Sequence, residues 1–574
     1  MIQQIERIDA IPLIAHGLIH MHVHDTIDRM YQPPTNWEGL TYGQLAVLFL
    51  TDGIHSLTHR LSGMEAWLIQ PKTVREQVTG WAVNAHDATD DRLGRMLEVF
   101  GEEDDNSTEF QVQMGQPLIT AHELPTAIGR EDTTSFNGDH QKDHGRVPFG
   151  QSQNHRPDLL QVKQGLGTID PAGIPLMTET ISGEKADAPC YVPAGRRMVK
   201  TIGRPDFLWM ADGQAASANT RATIAKEQGD YLFPLPMTGD IPAILKEAGL
   251  NPPEEPQAIM RSPKTGEEDE GTRDVGVGWM LENRTEAEAE DGSMHTWQER
   301  WMLSRSDAHA ERQKKAIKAR LAPAEKKLHA RKPKQPEHAD TFLKRAETLL
   351  KETTVTALIT LKMNEAVPSK KKYTTKGRPG PNTPYDLVEI RNLARSVQQH
   401  AAAIDECLSL AGWRIYVTNP SSEKLSLNQR TPSYRNEWSV ERGFHRFKNG
   451  CLPALPLFLR LPKRMTGVLM LLMIALQALT LIEYVSRRSL EKENGTIAGL
   501  VPGNPTMKTD RPTAERLLSR LDGIHLLIRE TDTSIHGTVI ETLHPLQCRI
   551  LSLLNIPIHL YAMKFSIQKI KNST

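Results

Sequence analysis

The segment MTGVLMLLMIALQALTLIEY, residues 465 to 484, constrains the fold more than any other stretch of the chain. A helix that is hydrophobic all round cannot be left in water. It must either cross a bilayer or run through a large protein core. Lys463 and Arg464 flank one end, as they would at a membrane surface, yet Thr466, Gln477 and Thr480 interrupt the run. No second segment of this kind occurs in the 574 residues, so the run is read as the central helix of a soluble protein. The composition, 39% apolar and 24% charged, can supply the surrounding core and excludes a disordered chain, a collagen or a simple fibre. Aromatic residues, at 5%, are too few for a carbohydrate-binding or immunoglobulin-type chain. Cys190, Cys407, Cys451 and Cys548 lie far apart, with no C-x-x-C. That usage fits a reduced, cytoplasmic protein with neither a disulfide framework nor a zinc ribbon. The opening MIQQIERIDAIPLIAHG lacks the basic and then apolar pattern of a signal peptide.

Charge is spread unevenly. The chain carries 69 Lys+Arg and 70 Asp+Glu, a net of −1, which as an average argues against a nucleic-acid partner. Residues 1 to 132 hold 8 basic and 20 acidic side chains, a net of −12, so the remainder carries +11. Residues 312 to 378 hold 19 basic and 6 acidic side chains, a net of +13. The excess is densest in RQKKAIKARLAPAEKKLHARKPKQP and recurs in SKKKYTTKGRPGP at 369 to 381. Such a block is either a solvated helix face or a surface that contacts phosphates, where each cation displaces a counterion. The neutral average therefore excludes no class of partner.

The first ~100 residues read as mostly helical, with amphipathic segments in LTYGQLAVLFLTDGIHSLTHRL and DDRLGRMLEVFG. Acidic GEEDDNST marks a boundary near 105. From 130 to 236 the pattern turns to strands: DLLQVKQGLGTID, GIPLMTETISG, PDFLWMADG and DYLFPLP, with helical SANTRATIAKEQG before the last. Strands with an interposed helix point to a mixed α/β domain. Residues 250 to 350, polar and charged, read as a long helical arm or helical pair. Beyond them TTVTALITL and GWRIYVTNP, at 353 to 361 and 412 to 420, read as strands bracketing a helix at about 385 to 410. Loop-like sequence at 495 to 512 leads into a terminal helical piece.

Several side chains could carry chemistry. His20, His22 and His24 form an H-x-H pattern like the metal ligands of amidohydrolases, but the middle of the chain does not supply the alternating β and α units such a barrel needs. His55 and His59, one helical turn apart, lack a third ligand, so both sets read as ordinary surface or core histidines. The acids are more telling. Asp132 sits in REDTTSF, and Asp212 closes the apolar strand FLWMADG, so that its carboxylate should emerge at a strand end open to solvent. Either alone could be a turn or cap residue. In TPSYRNEWSVERGFHRFKNG, residues 431 to 450, Tyr434, Glu441 and Lys448 follow Y-x6-E-x6-K. On a helix this places Glu441 and Lys448 two turns apart along one face, while Trp438, Val440, Phe444 and Phe447 can pack against a sheet. A carboxylate with a cation beyond it suits a metal-bound phosphodiester, the acid holding the metal while Lys448 and Tyr434 contact backbone phosphates.

These residues together resemble the DDE transposases of bacterial insertion sequences, in the branch with the signature Y-x2-R-x3-E-x6-K. The match rests on Asp132 in DTTSF, Asp212 in WMADG, and Tyr434, Glu441 and Lys448 in YRNEWSVERGFHRFK. The stretches RPDLLQVKQGLGTIDPAGIPLMTETISGEKAD and NPTMKTDRPTAERLL are also similar to that family, and the likeness covers essentially the whole chain. It implies an α/β fold with a ribonuclease H-like catalytic core interrupted by a long insertion. The expected parts are a helical N-terminal domain at 1–105, core at 125–240 and 412–490, an insertion with a charged helical arm at 241–411, and a helical C-terminal region at 491–574. It further implies that Asp132, Asp212 and Glu441 bind two Mg²⁺ or Mn²⁺ ions, and that Tyr434, Arg435 and Lys448 position DNA. The reaction would be cleavage at element ends followed by strand transfer, on terminal inverted repeats and target DNA, by a homodimer in the synaptic complex, with no membrane partner. The basic block at 312 to 378 would be a non-specific DNA surface. Glu437 occupies the signature's Arg position, with Arg435 two residues earlier, and 229 residues separate Asp212 from Glu441. The first departure leaves a second expectation: a decayed copy that binds DNA without cleaving it.

Overall fold

The computed structural model describes residues 2–70, 72–102, 105–138, 159–186, 188–252, 255–261, 273–330, 338–389, 392–429, 438–448, 450–452, 454, 459–531 and 533–568. The protein is mixed α/β and divides into two units. The first takes Met1–Phe233, Arg284–Gln298 and Ser433–Thr574, and the second Pro234–Asn283 and Glu299–Pro432.

Five strands form the main sheet of the first unit: β1 (Ile128–Gly138), β2 (Leu160–Ile169), β3 (Ile174–Ser182), β4 (Leu208–Met210) and β5 (Asp230–Pro234). Their order is β3-β2-β1-β4-β5. The hairpin pairs β1–β2 and β2–β3 are antiparallel, whereas β1–β4 and β4–β5 are parallel. Each parallel step needs a crossover, and helices Tyr191–Ile202 and Ala218–Lys226 supply them. The first lies close on β4 because Gly195 sits against the Trp209 ring, where a Cβ would collide. The expected strands in this region and the helix in SANTRATIAKEQG are all present. The helix Tyr191–Ile202 is an addition to that pattern, and β1 runs straight through Asp132 rather than ending at it.

The apolar run lies in the 31-residue helix Pro462–Lys492, and 94% of its most apolar window is buried inside the protein. It is a core helix. Gly467 lets its backbone meet the Leu97 carbonyl of helix Asp90–Phe100. Arg464 pairs with Glu98 at 2.8 Å and Lys463 with Glu102 at 2.6 Å, and Gln477 donates from Nε2 to the Pro175 carbonyl at 2.9 Å. Among the N-terminal helices, Tyr42–Ser56 begins with a full capping box, closed by Thr41 and Gln44. Asp28 accepts from the Thr41 hydroxyl at 2.6 Å and the Gly43 N–H at 2.7 Å.

Both chain ends depart from the helical expectation. Strands Ile2–Arg7, His525–Glu530, Ser534–Val539 and Lys564–Gln568 form a four-stranded antiparallel sheet, with helix Pro545–Leu553 between the last two. The terminal region thus mixes these strands with the short helices Ala514–Leu518 and Pro545–Leu553. Its strands are short and half-exposed, and one partner stands at the opposite end of the sequence, so no local pattern announces the pairing.

The expected helical arm over 250 to 350, most of which lies in the second unit, is replaced in its first half by strands. These are β6 (Gln257–Arg261), β7 (Arg273–Glu288) and β8 (Met294–Ser306), and they neighbour β9 (Trp413–Thr418) in the order β9-β8-β7-β6. Period-two alternation over 281–288, and the buried run Met302, Leu303 and Ser304 in β8, outweigh the charge content that suggested a helix. Two helices follow, Asp307–Ala330 and Ala339–Glu352, packed through Ile317, Leu321, Leu328 and Phe342. The helix expected at about 385 to 410 is confined to Ala401–Ser409; residues before it form an antiparallel ribbon, Ile359–Ala366 with Asn392–Gln399 and Ser369–Tyr373 with Tyr385–Glu389.

Candidate active site

Parallel strands β1 and β4 pair Ile128 with Leu208 through Arg130 with Met210. Asp132 and Asp212 each stand two residues beyond that last pair. Equal offsets from one registered pair bring both carboxylates to the same end of neighbouring strands. They line one small cleft with Arg130, Glu131, Met210, Ala211 and Val440. Both aspartates are half-buried. Asp212 accepts from the Tyr191 hydroxyl at 2.6 Å and the Gln214 N–H at 2.9 Å, and Asp132 accepts from the Thr133 N–H at 2.8 Å. The Arg130 guanidinium makes a buried two-point pair with Asp170, at 2.8 and 2.7 Å.

Three carboxyl groups, of Glu131, Asp132 and Asp212, share this cleft. Burial pushes the Glu131 carboxyl well above the usual carboxylate range; Arg197 opposes the rise, and Glu179, Asp132 and Asp212 add to it. Glu131 is 3% exposed, and its Oε2 has no hydrogen-bond partner among the described residues. Burial likewise raises the Tyr191 hydroxyl, with Asp212 next in effect. A cation is the natural complement of such a place, and two aspartate carboxylates are the hard oxygen donors that suit Mg²⁺ or Mn²⁺.

Lys448 comes to the same place from helix Trp438–Lys448. Burial lowers its pKa, and the charge of Asp132 opposes that shift. Its ammonium lies 6.0 Å from the centroid of Phe136, which is on β1. Val440, Phe444 and Phe447 of the helix are buried, as their spacing predicted, and Gly443 fits between Leu166 of β2 and Leu476 of the long helix. A buried ionic network fixes the helix further. Arg442 and Arg446 both pair with Glu483, which is 2% exposed, and Arg446 also meets Glu515 at 2.8 Å. Arg487 joins at 3.1 Å from Glu483.

Glu441 stands apart. It is exposed, it does not line the cleft, and no three His, Cys, Asp or Glu side chains among the described residues form a group that could hold a metal. Asp132 and Asp212 are therefore brought together, with Lys448 near enough to Asp132 to feel its charge, and Glu441 does not line the cleft. Tyr434, Arg435 and Glu437 lie outside the described residues. His20, His22, His24, His55 and His59 enter no metal-holding group among the described residues.

Comparison with known proteins adds little to this. No family model matches the chain. No curated protein matches it. Among solved structures it is similar to one described as a cryo-EM structure of piggyBac transposase synaptic complex with hairpin DNA, at 12% sequence identity and a TM-score of 0.24. The similarity covers 51% of this chain and 60% of that one, and is too slight to assign a fold or an activity.

Sequence reasoning missed Glu131, Tyr191 and Glu483. Glu131 carried a signal, since adjacent acids within a strand must point to opposite faces. Tyr191 and Glu483 carried none, because their importance lies in contacts with Asp212, 21 residues away, and with Arg446, 37 residues away.

Proposed function

We propose that the chain is a DDE-type transposase of an insertion sequence, which cuts DNA at element ends and joins the freed ends to target DNA. The observation that carries this reading is the pair Asp132 and Asp212, in register on neighbouring parallel strands, with Lys448 beside Asp132. A 3-2-1-4-5 sheet, antiparallel through its first three strands and parallel beyond, supports a ribonuclease H-like core around them. Asp132 and Asp212 would hold Mg²⁺ or Mn²⁺, which when bound supplies Lewis-acid activation of the attacking oxygen and charge relief at the leaving one. The protein's own part is to seat the phosphodiester at the cleft. Lys448 offers its charge to the backbone phosphate, and Tyr191 holds the Asp212 carboxylate in place. The functional unit would be a cytoplasmic homodimer, since two element ends must meet.

The test is cleavage of a duplex bearing the element's ends, with Mg²⁺ or Mn²⁺. Asp132→Asn and Asp212→Asn are each expected to slow cleavage by at least ~10²-fold while DNA binding persists. Undiminished cleavage in either variant overturns the site. The exposed position of Glu441 favours a second reading, a decayed copy that binds element ends without cutting them. Wild-type protein that binds those ends and never cleaves them would establish it.

A further inference from the structure

The ribbon in the second unit is the least covered part of the described protein. At its base Ile359 is buried, and Leu361, Met363 and Val397 pack against the cluster of Leu321, Leu328 and Phe342. Beyond Met363 the ribbon stands in solvent, although near its base Glu365 still accepts from the Ala339 N–H at 3.3 Å. Residues 364 to 388 are exposed throughout except Thr383, which is intermediate. Residues 364 to 373, strand except at Val367 and Pro368, can carry it up to about 30 Å outward. The pairing continues to Tyr373 opposite Tyr385, and the turn is closed by Thr374 N–H donating to the Pro384 carbonyl at 3.1 Å. Gly380 N–H donates to Thr383 Oγ1 at 2.8 Å within that turn.

A two-stranded ribbon with both faces in water gains little from burial and is marginal unless something covers it. Its composition says what would. From 362 to 388 there are 6 basic and 2 acidic side chains. Lys370 and Lys372 stand on one face; Lys371, Tyr373, Tyr385 and Leu387 share the other, with the Lys371 ammonium 4.1 Å above the Tyr385 ring centroid. Tyr373, Tyr385 and Leu387 are 41%, 44% and 66% exposed. Lysines interleaved with exposed aromatic and apolar side chains complement a polyanion that also offers apolar edges. Duplex DNA does so in its major groove, which admits a two-stranded β-ribbon, presents thymine methyl groups and is walled by phosphates. The minor groove is too narrow, and so is the major groove of duplex RNA.

We propose that the 364–388 ribbon inserts into the major groove of duplex DNA. Tyr373, Tyr385 and Leu387 face the bases, while Lys370, Lys372, Lys376 and Arg378 reach the flanking phosphates. This rests on the reading of the chain as a DNA enzyme, and assigns the partner and the groove to one element.

The test uses the whole chain and a fluorescent random-sequence duplex, with binding followed by anisotropy from about 50 to about 200 mM salt. Lys370→Gln, Lys372→Gln and Lys376→Gln combined should flatten the log–log salt dependence by about one for every phosphate that is no longer neutralised. The thermal unfolding midpoint should not move, because all three side chains are exposed. Methyl green, which occupies the major groove, should compete with the wild type, and distamycin in the minor groove should not. An unchanged slope in the triple variant overturns the proposal, as does competition by distamycin alone or an equal loss on duplex RNA. Wild-type protein that binds no duplex overturns the DNA reading as a whole, whereas a binding chain with an unaffected triple variant overturns only the ribbon's part.

Discussion

Tyr191 shows how much of the site depends on single contacts. Its hydroxyl donates to the Asp212 carboxylate at 2.6 Å, and a hydrogen bond to a charged group contributes about 1.5–3 kcal/mol. Tyr191→Phe is therefore expected to lower kcat for cleavage roughly tenfold or more with KM little changed. Steady-state kinetics on an end-bearing duplex check this, and a rise in KM alone would count against a positioning role. The network behind helix Trp438–Lys448 gives a second expectation. Burial disfavours the Glu515 charge, but the Arg446 guanidinium outweighs it and holds the carboxyl at about 2 against an ordinary 4.5. A depressed value in the folded state means that this stabilisation is complete above 4.5 and is lost as pH falls through about 2. Glu515→Gln should flatten the acid limb of the stability curve across that window, measured by urea unfolding at each pH. Glu483→Gln should cost about 1.5–3 kcal/mol in the same assay, because buried Arg446 would lose one of its two charged partners while keeping Glu515. At this scale the two aspartates and Lys448 are legible in the sequence because each sits in a local pattern. Glu483 is not, since a glutamate in an apolar helix looks like a solvated residue until the arginines facing it are known.

Among the elements, the long helix Pro462–Lys492 makes the sharpest claim. Its approach to helix Asp90–Phe100 depends on Gly467, where a Cβ would collide with the Leu97 carbonyl, a backbone atom that cannot rotate away. Gly467→Ala gains helix propensity of about 1 kcal/mol, yet forcing the two backbones apart typically costs more, about 1–3 kcal/mol. Net destabilisation is expected as a lower thermal midpoint, and a stabilised variant would refute the close crossing. The elements also show where charge misleads. The segment TEAEAEDG is acidic enough to suggest a solvated helix, but it alternates strictly and ends at buried Ala289, so it pairs as a strand and turn. The 385–399 stretch misleads for a related reason: among its described residues Val397 packs on the core while most others are exposed, too little apolar alternation to betray a strand.

For the whole molecule, the uneven charge and the apolar run decide what kind of protein this is. Because 94% of the run's most apolar window is buried against protein, phase separation in a cloud-point detergent should leave the chain in the aqueous phase. Recovery in the detergent phase would restore the bilayer reading. The sequence by itself determined that a long helix must be hidden, that strands crowd the 130–236 region, and that Lys448 follows Glu441 by two helical turns. These are local facts, written in periodicity and composition. Only the tertiary structure decided that Asp132 lies beside Asp212, that Lys448 comes to Asp132 while Glu441 stays exposed, and that the two ends of the chain share a sheet. Strand register and helix rotation are settled by competing packing among residues far apart in sequence, as with Leu166, Gly443 and Leu476. No window along the chain contains that competition.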